Sequence, residues 1–440
     1  MSEPKKLPAP SEPVERKGLS YWTIVVGQLR RNKLAVFGFW AIVWLLFVAV
    51  YTPVVASDRP FYYSGPEGTS WPWFTDMFDR LVVPTAVDLF FNLAMLFVPI
   101  GLAAFLIVRA RLRRRGTWGA KPMRRTLAIV GLVFLWTFAG IILPDSVVQK
   151  PFWKVAVAPG LALRSSKPIV DYHWRLTEHE KEGKEATAYF PPVPYSYTTT
   201  RLLEGTQPPD WFGGFWSIGS HPLGTDPGGV DVFATLLYGT RISMTIGVIA
   251  VSIYVTIGII LGALAGYFGG WVDILISRFI EIMICFPLFF FVIFIVAVFE
   301  ERSIFLIMAA IGIAAWTGVA RLVRGEFLTQ RGREYAIAAT ALGIPKRRII
   351  FRHILPNALT PVFVAATFGV AAAILTESGL AFLGLGDPGA ASWGMLLNTG
   401  RLSNLEWVIL APGVAIFFTV TVFNLLGEGL RDALDPKLRE

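Results

Sequence analysis

Few side chains in this chain could do chemistry, and most of those sit inside long apolar runs. Glu377 lies within one run, Arg278 and Glu281 near the start of another, and Asp88 within a third. An ionisable group in hydrocarbon costs roughly 2–3 kcal/mol or more and usually faces a bundle interior or a watery path. Arg278 and Glu281 are three residues apart and can pair on one helix face. Glu377 is the better candidate for lining or gating a translocation pathway, with a structural interhelical hydrogen bond as an equal alternative. Asp88 is expected near the outer headgroups. The histidines (His173, His179, His221, His353) are scattered, and for His221 and His353 a hydrogen-bonding role is favoured over metal ligation. Cys285, the single cysteine, excludes an intrachain disulfide and a cysteine-based metal cage. The patterns GxxxxGK[ST], HExxH and GxSxG are absent, so no catalytic residue, metal or cofactor is expected in this chain.

The elements that must position these groups are membrane spans. The chain is 54% hydrophobic and 16% charged, with a mean hydropathy of +0.56. Its apolarity comes in blocks long enough to cross roughly 30 Å of hydrocarbon. The net charge of +9 clusters beside those blocks, which points to topology and anionic membrane lipid rather than nucleic acid. Eight spans are expected, near 34–56, 85–108, 126–143, 241–267, 277–299, 303–323, 359–383 and 408–426. Arg30, Arg31 and Lys33 before the first span, and the basic stretch RARLRRRGTWGAKPMRR between the second and third, mark the cytoplasmic side. Both termini are then cytoplasmic.

The resulting division is a cytoplasmic tail over 1–33, whose first residues, MSEPKKLPAPSEPVERKG, read as Pro-rich, charged and disordered, and a first span over 34–56, read as a retained anchor rather than a signal peptide. An outer loop and inserted hairpin follow over 57–144, then an extracytoplasmic loop over 145–233. The core is expected over 234–427, with a cytoplasmic loop at 325–358, and a tail over 428–440. Within the long loop, LTEHEKEGKEATAYFPPVPYSYTTT could hold a short charged helix and then extended chain. Gly258, Gly262 and Gly266 follow the small-xxx-small spacing of tightly packed membrane helices. Gly269–Gly270 should break that helix, Glu300–Glu301–Arg302 reads as a short outside turn, and the Gly-rich 379–394 stretch as a protein-covered re-entrant or interfacial turn.

Residues 334–357, EYAIAATALGIPKRRIIFRHILPN, are polar and basic between two spans. A helix from Glu334 would align Tyr335, Ala338, Ala339 and Leu342 in a thin apolar stripe. Gly343 suits a left-handed cap, and Pro345 the first turn of a second short helix. On pattern alone this is equally an ordinary amphipathic loop or a docking element.

Six motifs in order carry a resemblance: HPLGTDPGGVDVFATLLYGTRIS (221–243), AGYFGGWVD (265–273), YAIAATALGIPKRRIIFRHILPN (335–357), ESGLAFLGLG (377–386), SWGMLL (392–397) and EGLRDALDPK (428–437). Over 221–440 and the first span, the chain resembles the C-type inner-membrane permease subunits of bacterial dipeptide, oligopeptide and nickel ABC importers. GGVDV, RFIEI (278–282) and SDRPFYY (57–63) lean towards the microcin-C-like peptide branch. The resemblance implies an all-α polytopic protein with the type I ABC importer permease fold. It implies a pore-forming subunit working with a second permease subunit, two cytoplasmic ATPase subunits and an extracytoplasmic substrate-binding protein. Residues 335–357 match the family's coupling loop, which implies ATPase-coupling roles for Tyr335, Ala338, Ala339, Gly343, Ile344, Pro345, Arg347, Leu355 and Pro356.

The chain departs from the family pattern in three ways. Ile337 stands where a glutamate is common, and Val230 where an arginine is usual. The second and third spans, with much of 145–220, have no counterpart in the usual six-span subunit. Two readings from other classes compete with the importer: a secondary transporter energised by protons through Glu377, and a receptor or scaffold whose long loop binds ligand. That loop could equally dock the binding protein or shield the outer mouth.

Overall fold

The computed structural model describes residues 21–79, 82–114, 120–142, 170–202, 205–210, 218–299 and 302–434. The expectations for residues 1–20, 115–119, 143–169, 203–204 and 211–217, Glu300–Glu301 and residues 435–440 lie outside the described residues.

A short helix, α1 (Tyr21–Arg31), leads into α2 (Lys33–Val55). Asn32 begins α2 by accepting hydrogen bonds from the Leu34 and Ala35 amides (3.1 and 3.2 Å), which satisfies two of the otherwise orphaned first-turn donors. After α3 (Pro72–Asp76), the inserted hairpin is α4 (Ala86–Arg114) packed on α5 (Ala120–Ile142). Phe90, Phe97, Phe134 and Phe138 meet edge to face across that pair. Next come α6 (Tyr172–Lys181) and the long α7 (Val232–Phe268). Asp231 caps α7 through the Ala234 amide (2.7 Å), and Gly269 ends it at φ +68°.

The remaining core comprises α8 (Gly270–Cys285), α9 (Leu288–Phe299), α10 (Ile304–Arg331), α11 (Glu334–Ala341), α12 (Thr360–Phe382), α13 (Trp393–Ser403) and α14 (Glu406–Leu434). As expected, Gly269–Gly270 break the chain, at φ +68° and +53°. The α7–α10 contact is a close helix packing along three glycines. A Cβ on Gly258 would fall 2.6 Å from Val319 Cβ, one on Gly262 2.5 Å from the Ala320 carbonyl oxygen, and one on Gly266 2.6 Å from Phe327 Cβ. The small-xxx-small spacing therefore marks the face where two backbones meet.

Among the described residues, six helices are long and apolar enough to cross a membrane: α2, α4, α7, α10, α12 and α14. Residues 270–299 add a seventh if their two helices count as one span. The third expected span, near 126–143, is helical within α5 over its described residues. The span expected over 277–299 is not continuous: α8 and α9 meet at 83°. Pro287 lies at the break, where a proline removes a donor and clashes with the preceding turn.

At one end of the bundle the loops build a small subdomain. Strands β1 (Tyr62–Gly65), β2 (Gly68–Ser70) and β3 (Thr187–Tyr189) form an antiparallel sheet in the order β2-β1-β3. Tyr63 pairs with Ser70 on one side and Ala188 on the other. Within the stretch expected to hold a charged helix and then extended chain, α6 and β3 supply both. Behind the sheet Tyr195 stacks on His221 (4.3 Å) and lies 5.6 Å from His173. Burial, and then the nearby Arg201 cation, lower the His173 pKa to about 4 from an ordinary 6.5. The folded state thus favours neutral imidazole, and this stabilisation is present above pH 6.5 and lost as pH falls towards 4. At about 1.4 kcal/mol per pH unit, acidification from pH 7.5 to 4.5 should cost the subdomain on the order of 3 kcal/mol. Trp174 fluorescence during thermal unfolding should show it, with a smaller pH dependence in His173→Phe; an unchanged dependence would assign the effect to other groups.

Candidate functional site

Residues 333–358 form one connected unit at the other end of the bundle. α10 ends at Gly332, and α11 starts two residues later. Helix α11 turns Ala336 and Ala339 inward, where they join Phe327, Ile349, Ile354, Ala358 and Val362 in one buried cluster. The stripe predicted from spacing is therefore split. Ala339 is buried, whereas Tyr335, Ala338 and Leu342 face outward, Leu342 at 80% exposure. The methyl-sized inner pair lets the helix sit close to the bundle and leaves the larger apolar groups free.

Gly343 ends α11 at φ +72°, the left-handed conformation expected from the sequence. Its amide donates to the Thr340 carbonyl (3.0 Å), and the Ile344 amide to that of Ala339 (3.1 Å). Pro345 immediately precedes the next turn, and its carbonyl accepts from the amides of Arg348 and Ile349. Arg347 is exposed, Leu355 half-buried and Pro356 exposed. Residues Ile349–Ile354 form a π-helical turn, a wider coil often found at functional sites, and the sequence gives no sign of it.

Two paired arginines hold this frame, and Glu377 is paired at the sheet-bearing end of the bundle. Arg324 forms a two-pronged pair with Asp273, linking α10 to the start of α8. Arg331 Nη1 donates to the Tyr267 carbonyl (2.8 Å). Glu377, 1% exposed, accepts a hydrogen bond from the Ser392 hydroxyl (2.6 Å), tying α12 to the cap of α13. Arg278 and Glu281 pair on an exposed face of α8 (2.6 Å).

Asp88 stands buried in the first turn of α4, not facing open solvent, at the centre of a polar network at the sheet-bearing end. Arg241, fully buried on α7, donates to Asp88 (2.9 Å), to Asn92 (2.9 Å) and to the Ala49 carbonyl (2.8 Å). Tyr197 donates to the other Asp88 oxygen (2.6 Å), and Thr85 to the same oxygen (2.5 Å). Burial, then the Asp88 charge, push the Tyr197 phenol above its ordinary pKa, so it remains a donor. An aspartate in a largely apolar run signals a partner, but the partner is 153 residues away and sequence spacing does not identify it. His221 Nδ1 meets Asp231 at 2.8 Å with both side chains fully buried. That is the hydrogen-bonded role expected of it, and Asp231 is also the α7 cap. Among the described residues, no group of three or more His, Cys, Asp or Glu side chains could hold a metal ion.

Comparison with known proteins agrees with this architecture. Residues 258–440 match the family model described as binding-protein-dependent transport system inner membrane component. Residues 20–73 match the N-terminal TM domain of oligopeptide transport permease C. The glutathione transport system permease protein GsiD of Pectobacterium atrosepticum is 40% identical over 334 residues, covering 73% of this chain and 99% of that one. The chain belongs to the binding-protein-dependent ABC importer permeases. The oligopeptide permease OppC of Haemophilus influenzae is 46% identical over 225 residues, with 50% of this permease and 72% of the relative covered. The dipeptide permease DppC of Alkalihalophilus pseudofirmus is 43% identical over 222 residues, covering 50% and 73%. The permease is a multi-pass, pore-forming subunit of an ABC importer of the inner membrane. Subunits of this kind work with ATPase and substrate-binding components in general.

Proposed function

We propose that this permease is one half of a peptide-conducting pore, paired with a second permease subunit, two cytoplasmic ATPase subunits and an extracytoplasmic binding protein. The observation that carries the reading is the outward apolar face of α11. Ala338 and Leu342 stand clear of a helix whose other side is seated in the bundle, and Tyr335 is exposed beside them with its hydroxyl donating back to Gln330 (2.8 Å). Short amphipathic helices of this kind fill grooves in partner proteins. Ala339, Gly343, Ile344 and Pro345 hold the helix–turn geometry, Arg347 offers a cation to the partner, and Leu355 and Pro356 close the unit against α12. Ile337 supplies no acidic contact, so docking rests on shape and apolar area. The peptide substrate is taken from the names of the relatives, which are oligopeptide, dipeptide and glutathione permeases.

In this reading both termini and residues 325–358 face the cytoplasm, and the sheet subdomain, with the 145–233 loop, faces outward where a binding protein delivers cargo. ATP-driven closure of the partners displaces α11, and the Arg324–Asp273 link carries that displacement to α8. Two arrangements of the bundle are then favoured by different nucleotide states, as alternating access requires. Glu377 fixes the α12–α13 corner beside the pathway.

Reconstitution of the complete complex in proteoliposomes provides the test. Uptake of a labelled tripeptide should require ATP, the ATPases and the binding protein together. Uptake driven by a proton gradient without ATPases would replace this reading with the secondary transporter. Peptide binding without uptake would replace it with the receptor.

A further inference from the structure

The α8–α9 break opens a cleft of about 370 Å³ against α10, within the ~300–1,000 Å³ range of small-ligand pockets. Met283, Phe286, Pro287 and Leu288 line one wall, and Thr317 and Arg321 stand in the other. Ala314, Thr317, Gly318 and Arg321 recur at the spacing that puts them on one face of α10. The opposite face, with Val319, Ala320 and Val323, is buried against α7. The cleft is open at Gly318, where a Cβ would touch nothing within 4 Å.

Arg321 differs from the other arginines in the second half of this helix. Arg324 is paired with Asp273, and Arg331 is bonded to the Tyr267 carbonyl. Arg321 is exposed to the cleft and has no ion pair or hydrogen bond with any described residue. It lies ten residues before the end of a membrane-crossing helix, about 15 Å from that end at 1.5 Å per residue. Charged side chains at such positions face water-filled paths or partners rather than lipid.

We infer that this cleft is a carboxylate-binding station on the translocation path, with Arg321 holding the C-terminal carboxylate of a short peptide in transit. The guanidinium fork matches a carboxylate with two parallel hydrogen bonds. Thr317, one turn away, offers a hydroxyl to the adjoining peptide group. The apolar wall from Met283 to Leu288 accepts side chains of varied shape without demanding one. The inference rests on the peptide-importer reading and adds the chemical group that the pore itself recognises.

Equilibrium binding of a labelled tripeptide to the purified permease–ATPase complex, without the binding protein, separates the two. The wild-type complex should bind the free-acid peptide at least tenfold more tightly than its C-terminal amide. In Arg321→Gln the ratio should fall to about one, and Arg321→Lys should recover part of it. A ratio unchanged in Arg321→Gln would overturn the station. So would loss of complex assembly in that variant, which would make Arg321 a contact to the second permease. Absence of ATP-dependent peptide uptake by the wild-type complex would overturn the importer reading, and this inference with it.

Discussion

Arg241→Met is expected to destabilise the permease by about 3–5 kcal/mol, the cost of removing one partner of a buried ion pair. The variant leaves Asp88 charged and buried, with only the Tyr197 and Thr85 hydroxyls to satisfy it, and leaves Asn92 Oδ1 and the Ala49 carbonyl without their donor. Thermal unfolding in detergent should register a fall of several degrees in midpoint and a lower yield of membrane-inserted protein. Adding Asp88→Leu should recover part of the loss, because replacing both members removes the uncompensated charge. Equal melting of wild type and Arg241→Met would mean that water reaches the network and the pair contributes little. A permease lacking α4 and α5 should behave like Arg241→Met or worse, since the deletion removes Asp88 and Asn92 together. The inserted hairpin is thus integral to the fold.

Leu342→Asp is expected to abolish ATP-coupled uptake while leaving the permease folded. The side chain is 80% exposed and takes no part in the buried cluster beneath α11. An anchor in a partner's groove contributes roughly 2–4 kcal/mol, so losing it should weaken ATPase attachment by about thirtyfold or more. Copurification of the ATPases and peptide uptake would both report this. Two companion substitutions act differently. Ala339→Arg puts a charge into the inner seat and should displace the whole helix. Gly343→Pro demands φ near −65° where the chain stands at +72°, and it removes the amide that donates to Thr340. Gly343→Ala should cost only about 1–2 kcal/mol of left-handed backbone strain. Normal ATPase attachment in Leu342→Asp and Ala339→Arg alike would exclude α11 as the docking element.

Much of this arrangement is legible in the residues because membrane physics makes apolar blocks long and glycine positions strict. The tight α7–α10 face follows from Gly258, Gly262 and Gly266, and the α11 turn from Gly343, since each depends on local backbone geometry. The Asp88–Arg241 pair is not legible, because contacts between distant segments leave no periodic trace. The break at Pro287 is visible only as a proline in an apolar run, and prolines also occur inside continuous helices here, as Pro53, Pro99 and Pro412 do. In α11 the apolar spacing was plain, but which alanine faces the bundle depends on the angle at which Gly332 releases the chain from α10. The π-helical turn at 349–354 likewise follows from packing against the bundle.

Helix α7 runs for 37 residues without interruption, about 55 Å at 1.5 Å per residue, against roughly 30 Å of hydrocarbon. Its first turns are tied to the sheet-bearing subdomain through Asp231 and to α2 and α4 through Arg241, and its last turn abuts Arg324 and Phe327 of α10, the helix that leads to α11. One stiff rod therefore has a handle on each side of the bilayer. A tilt imposed at the Gly266 end must reappear, with its sign reversed, at Arg241, so the subdomain and α11 behave as the two arms of a single lever.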